Sequence, residues 1–256
     1  MRSFFNRLLD RNIHQSAMFD ENIYVIGDSH SLFWSGFGVE QQRIPFAHGI
    51  EIPKNSLLST FKIFHLGPCL AYNMNRYGTK TQGLEKVEFL MSGNYLPFGA
   101  TVMLCFGEID IRVHVFKEGK QNMQRRIIGI VNNYMNFIDQ MAKKFKVICY
   151  GPIASQKDDW STNPAFPRNG NEYERNYATK NLTNILSDKC SQCGITFITL
   201  FDDLIDEHFS TKTEFIHDQC HLSPHLFPSA CHKLFFLLKK NMDVNQLPHH
   251  SSPASD

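Results

Sequence analysis

The stretch 22-NIYVIGDSH-30 decides how this chain reads. Tyr24, Val25 and Ile26 form an apolar run without polar alternation, which is how a strand buried on both faces looks. The run stops at Gly27, and an acid, a hydroxyl and an imidazole follow in Asp28, Ser29 and His30. A serine at such a strand end has two readings. It can expose its hydroxyl at the edge of a sheet, with its own amide aimed at whatever binds there. Alternatively, Asp28 and Ser29 are cap residues for the helix or tight turn that 30-HSLFWSGFG-38 opens.

Four more runs of the same kind follow: 61-FKIFHLGP-68, 100-ATVMLCFGEID-110, 145-FKVICYGPI-153 and 195-ITFITLFDDL-204. The segments between them are long enough for crossover helices. The clearest is 121–144, where Ile127, Ile130, Val131, Tyr134, Phe137, Ile138 and Met141 recur at three- and four-residue steps. Further helices are expected over 172–190 and within 223–240, the latter with Pro228 near its start. Strands alternating with helices predict an α/β chain, a three-layer α/β/α sandwich around a five-stranded, mainly parallel sheet. Ligands of such sheets gather at the carboxyl ends of the strands. Here those ends read GDSH, HLGP, GEID, GPIAS and FDDL, which puts the polar residues where the rule expects chemistry.

With 256 residues, 42% of them hydrophobic, the chain can bury one substantial core, so one domain over 23–241 is expected. The sequence flanks it with an N-terminal extension, 1–22, and a tail, 242–256, whose polar composition predicts disorder. Basic and acidic residues number 26 and 25, a net +1, which offers no single-signed field for nucleic acid or an anionic membrane. The charged first 22 residues do not resemble a secretory signal, and no stretch approaches the length of uncharged apolar residues that crosses a bilayer. The seven scattered cysteines fit reduced thiols in a cytoplasmic compartment. Cys190 and Cys193 form a lone CxxC without the second pair that a structural zinc needs.

A base to partner Ser29 is available in 215-FIHDQCHLSPH-225. Asp218 precedes His221 by three residues, so one turn sets them side by side, the carboxylate on one ring nitrogen and Ser29 on the other. His217 and His225 crowd the same segment.

GDSH after the first run, Gly-Pro after the second, GEID after the third and DQCHLS before the last helix occur in that order. Together they resemble the SGNH/GDSL hydrolase superfamily, and the likeness covers about residues 23–240. The resemblance implies Ser29 as nucleophile, His221 as general base and acid, and Asp218 as the residue orienting His221. It also implies the amides of Ser29 and Gly67 as oxyanion donors. The chain departs from the family at the third block, where Ile109 stands in the place of an asparagine donor. Losing one such donor typically costs about 2.7–4 kcal/mol in the transition state, so a substitute is expected. Asn73 is the first choice, with Asn75, Arg112 and His114 nearby in sequence. GEIDIR also looks like a subgroup found beside sugar-modifying enzymes, in which Glu108, Asp110 and Arg112 recur as a unit.

Asp28, His30, Glu108, Asp110, Arg112, His114 and Trp160 are therefore expected to border the pocket. Glu108 and Arg112 read best as an ion pair, since an unpaired charge at a strand end would be expensive. Glu108, Asp110 and His114 are donors for a hard cation, but Arg112 competes for the space, and neither a metal nor another cofactor is expected. The polar segment 151-GPIASQKDDWSTNPAFPRNGNEY-173, with Trp160 and Arg168, is long enough to be functional. It favours a small acyl group, such as acetyl, on a carbohydrate or other small molecule. A sugar acyltransferase and a non-catalytic binding protein that kept the fold are the competing readings, and oligomeric state leaves no trace in the sequence.

Overall fold

A computed structural model describes residues 21–36, 41–44, 49–161, 164 and 167–245. The expected extension up to residue 20 and the tail beyond residue 245 lie outside the described residues.

The five apolar runs form the five parallel strands of the central sheet. In chain order these are β1 (Ile23–Gly27), β4 (Phe61–His65), β5 (Thr101–Cys105), β6 (Lys146–Tyr150) and β7 (Thr196–Ile198). Two short strands, β2 (Gln41–Arg43) and β3 (Glu51–Pro53), add to one edge in antiparallel sense. The order is β2-β3-β4-β1-β5-β6-β7, so the sheet has seven strands instead of the expected five. The extra two have no apolar run to announce them: they read QQR and EIP, three residues each.

Successive side chains along each strand enter opposite cores. Ile26, Val102, Leu104, Val147 and Cys149 pack beneath α1 (Gly83–Ser92), α2 (Met123–Ala142) and α3 (Glu172–Gln192). Ile23, Val25, Met103, Cys105, Ile148 and Tyr150 face a 3-10 helix, Ser29–Ser35, together with α4 (Phe201–Leu204) and α5 (Phe227–Asn245). The result is the three-layer α/β/α sandwich. No described helix is long and apolar enough to cross a membrane.

The parallel register aligns the strand ends that carry the polar blocks. Gly27 is level with His65 on one side and Cys105 on the other. Gly27 cannot be otherwise, because a Cβ there would lie 2.4 Å from the Cys105 carbonyl oxygen. The chain leaves β4 on one side of β1 and β5 on the other, and that switch point opens the crevice in which such sheets bind ligands.

Candidate active site

The two readings of Asp28 and Ser29 divide between the two residues. Asp28 caps the 3-10 helix, its Oδ1 accepting the His30 amide at 2.9 Å. Ser29, the first helical residue, is left to face the crevice. Its Oγ lies 2.8 Å from His221 Nε2, and His221 Nδ1 lies 3.0 Å from each oxygen of Asp218. The sequence positions of the three groups are far apart, and the fold closes them into one hydrogen-bonded chain.

The Asp218–His221 spacing is realised in a hairpin turn, not on a helix. Strands β8 (Ile216–His217) and β9 (His221–Leu222) pair antiparallel, and the turn between them holds Asp218 at φ 47° and Gln219 at φ 67°. Aspartate tolerates that left-handed backbone better than most residues. The turn lets one carboxylate take both the backbone amide of His221, at 3.1 Å, and its ring.

Burial and the adjacent charge of His30 hold the His221 pKa below the ordinary histidine value, although Asp218 pulls the other way. Burial would raise Asp218, but His221 and neighbouring amides outweigh it and keep the carboxyl below its usual range. At neutral pH the pair is therefore carboxylate and neutral imidazole, the state a general base requires.

Behind His221 stands a second, more deeply buried layer. The His30 and His221 rings are 5.1 Å apart. His30 Nε2 faces Glu108 at 3.4 Å, and Glu108 grips Arg112 through two hydrogen bonds of 2.7 and 3.1 Å. Burial works against a charged His30, but the Cys220 and Glu108 side chains beside it lift its pKa well above 6.5. Burial likewise works against Glu108, and His30 and Arg112 overcome it, holding the carboxyl at about 2. At Asp28 burial outweighs the charge and amide of His30 and pushes the carboxyl up to about 6.

The second strand-end block supplies Gly67, at φ 80°, where a Cβ would meet only Lys86 Nζ at 3.8 Å. The need for glycine there is one of backbone conformation, not space. The lysine is buried and donates to the Leu66 carbonyl at 2.6 Å, fixing the loop.

Asp110 braces the same loop, its oxygens accepting the amides of Ala71 and Tyr72 at 2.8 and 3.1 Å. Burial nonetheless raises it to about 7. Asn73, the expected oxyanion donor, lies on the 3-10 turn Ala71–Asn73 and lines a cavity of about 590 Å³ with Tyr72, Asp110, His114 and Arg126. No hydrogen bond joins its side chain to Ser29 among the described residues. His114 also lines this cavity and lies apart from the Ser29–His221–Asp218 chain.

The long segment after β6 is held by a buried polar network that the sequence does not announce. Arg175, fully buried on α3, donates to Ser155 Oγ at 2.5 Å, the Gln156 carbonyl at 2.7 Å, Asp158 at 2.9 Å and the Gly170 carbonyl. Its neighbour Asn176 accepts the Ser155 amide and donates to the Phe209 carbonyl and Thr211. Arg168 is spent on the loop itself, donating to the carbonyls of Lys157, Asp158 and Trp160.

The braced loop touches the site on two sides. Asn169 bonds to the carbonyls of Arg112 and Val113, and Ser161 donates to Gln219 in the hairpin turn at 2.8 Å. Trp160 is half-buried in this loop. Cys190 of the CxxC is buried in the core and Cys193 is exposed, and all seven cysteines are free.

No protein-family model matches the sequence, and no curated protein is similar to it. Solved structures are. A candidate acylhydrolase from Bacteroides fragilis aligns over 93% of this chain and 96% of its own, with 15% identity and a TM-score of 0.51. A GDSL-like lipase from Bacteroides thetaiotaomicron aligns over 94% and 98%, with 14% identity and the same TM-score. The chain thus has the fold of the SGNH/GDSL hydrolases.

Proposed function

We propose that this protein is a serine esterase that removes a small acyl group, such as acetyl, from a carbohydrate or another small alcohol. One observation carries the reading: the unbroken chain from Ser29 Oγ through His221 to Asp218, at 2.8 and 3.0 Å. His221 takes the serine proton as Oγ attacks the ester carbonyl, and Asp218 steadies the imidazolium that forms. The amides of Ser29 and Gly67 hold the oxyanion, with Asn73 as the third donor once substrate draws it in. The alcohol leaves with the proton from His221, and water attacks the acyl-enzyme by the same route in reverse. A small acyl group suits a crevice bordered by a braced polar loop and buried charges better than a long alkyl chain does. In a series of p-nitrophenyl esters kcat/KM is expected to be highest for acetyl and to fall toward octanoyl; a preference for octanoyl would replace this substrate class with lipids.

Ile109, in place of the family's asparagine, favours a second reading, a binding protein that kept the fold and lost the chemistry. The absence of any turnover with that series would select it.

The pH profile follows from the two histidines. Activity needs neutral His221, whose pKa lies below 6.5, so kcat/KM is expected to reach half its plateau below that pH. His30→Gln removes the neighbouring positive charge, so the His221 pKa rises and the limb moves to higher pH. A wild-type midpoint above about 7, or a limb unmoved in His30→Gln, contradicts the assignment.

A further inference from the structure

We propose that His30, Cys220 and His221 form a binding site for a soft divalent cation, Zn²⁺ fitting it best, and that filling this site switches the triad off. One ring nitrogen of each histidine and the Cys220 sulfur lie within 4.8 Å of one another. Tetrahedral zinc holds nitrogen and sulfur ligands roughly 3.3–3.6 Å apart, given Zn–N and Zn–S bonds of about 2.0–2.1 and 2.3 Å, so small side-chain rotations close the site. A thiolate with two imidazoles selects zinc-like ions over magnesium or calcium.

His221 is already oriented as a metal-bound imidazole usually is, with a carboxylate on its far nitrogen. His30 turns Nε2 to Glu108, and its Nδ1 is buried without a hydrogen-bond partner among the described residues; the residue as a whole is 6% exposed. His221 turns Nδ1 to Asp218, which leaves Nε2 as the ligand. That nitrogen is the one facing Ser29 Oγ. One atom cannot both bind a cation and accept the serine proton, so metal and catalysis exclude each other. Zinc exchanges hydration waters for the three ligands, and the Cys220 thiol and the charged His30 ring each give a proton to solvent. Cys220 and His221 are partly exposed, which leaves the ion a way in through the crevice.

The inhibitory consequence rests on the esterase reading; the binding itself does not. The test is therefore made first on Ser29→Ala protein, with Co²⁺ as an optical probe. The expected result is a thiolate-to-cobalt absorption band that saturates at one ion per chain and is displaced by Zn²⁺. The band should persist in Ser29→Ala/Cys193→Ala and weaken in Ser29→Ala/Cys220→Ser. Loss of a direct ligand should cost more than the roughly 10–100-fold typical of an outer partner. No saturable band, or one equally strong without Cys220, overturns the site. In the wild type Zn²⁺ should stop ester hydrolysis and EDTA restore it, with Cys220→Ser resistant relative to its own zinc-free rate. Hydrolysis indifferent to zinc overturns the inference while leaving the esterase standing. A protein that binds Co²⁺ as described yet hydrolyses no ester keeps the metal site and loses the esterase reading.

Discussion

Ser29→Ala is expected to lower kcat/KM for p-nitrophenyl acetate by at least about 10⁴-fold, and His221→Ala by a similar factor, with the double variant little worse than either. The non-additivity is the informative part. Serine and histidine act as one unit through the 2.8 Å contact, so removing the second after the first takes away almost nothing. Stability should hardly change, because the helix cap belongs to Asp28 and, among the described residues, the Ser29 side chain is bonded to His221 alone. A serine that merely closed the helix would give the opposite pattern, a less stable protein with unchanged activity. A fall in kcat/KM below about tenfold in folded Ser29→Ala would remove the nucleophile from the account.

Arg112→Met is expected to destabilise the fold by about 3–5 kcal/mol, the usual cost of leaving one member of a buried ion pair unpaired. Arg112 and Glu108 are both nearly inaccessible to water, and the doubly bonded guanidinium is the only permanently charged partner the carboxylate has among the described residues. His30 would remain at 3.4 Å, yet it must then balance Glu108 close to the buried Asp28. Glu108→Gln/Arg112→Met should recover much of the loss, since the orphaned charge goes too. Chemical denaturation of the three proteins reads this directly. A loss below about 1 kcal/mol for Arg112→Met would mean that water reaches Glu108, and that the layer behind His221 is not the dry support described above.

The parallel sheet, its helices and the serine, histidine and aspartate of the site were legible because each leaves a local mark. Buried parallel strands read as unbroken apolar runs, and the residues of the candidate site sit just after them or before the last helix. What stayed hidden leaves no local mark. Strands β2 and β3 are three residues each, too short for an apolar run to mark them. The π-helical turn Asp110–Val115, which sets Arg112 back on Glu108, follows a block that reads as an ordinary strand end.

Arg175 and Asn176 are invisible for a different reason. Polar residues on a helix are read as its wet face, but α3 buries these two to satisfy the loop after β6. Cys220 lies next to His221 in sequence, yet its meaning depends on His30, which only the switch point between β4 and β5 brings within reach.

If Ser29 is a nucleophile activated by His221, it should react with a fluorophosphonate probe, the modified residue being located by mass spectrometry. One label per chain is expected, on Ser29, formed faster as pH rises through the His221 transition and absent from both Ser29→Ala and His221→Ala. A wild-type protein that stays unlabelled across that transition, or a label carried on another residue and retained in Ser29→Ala, would contradict it.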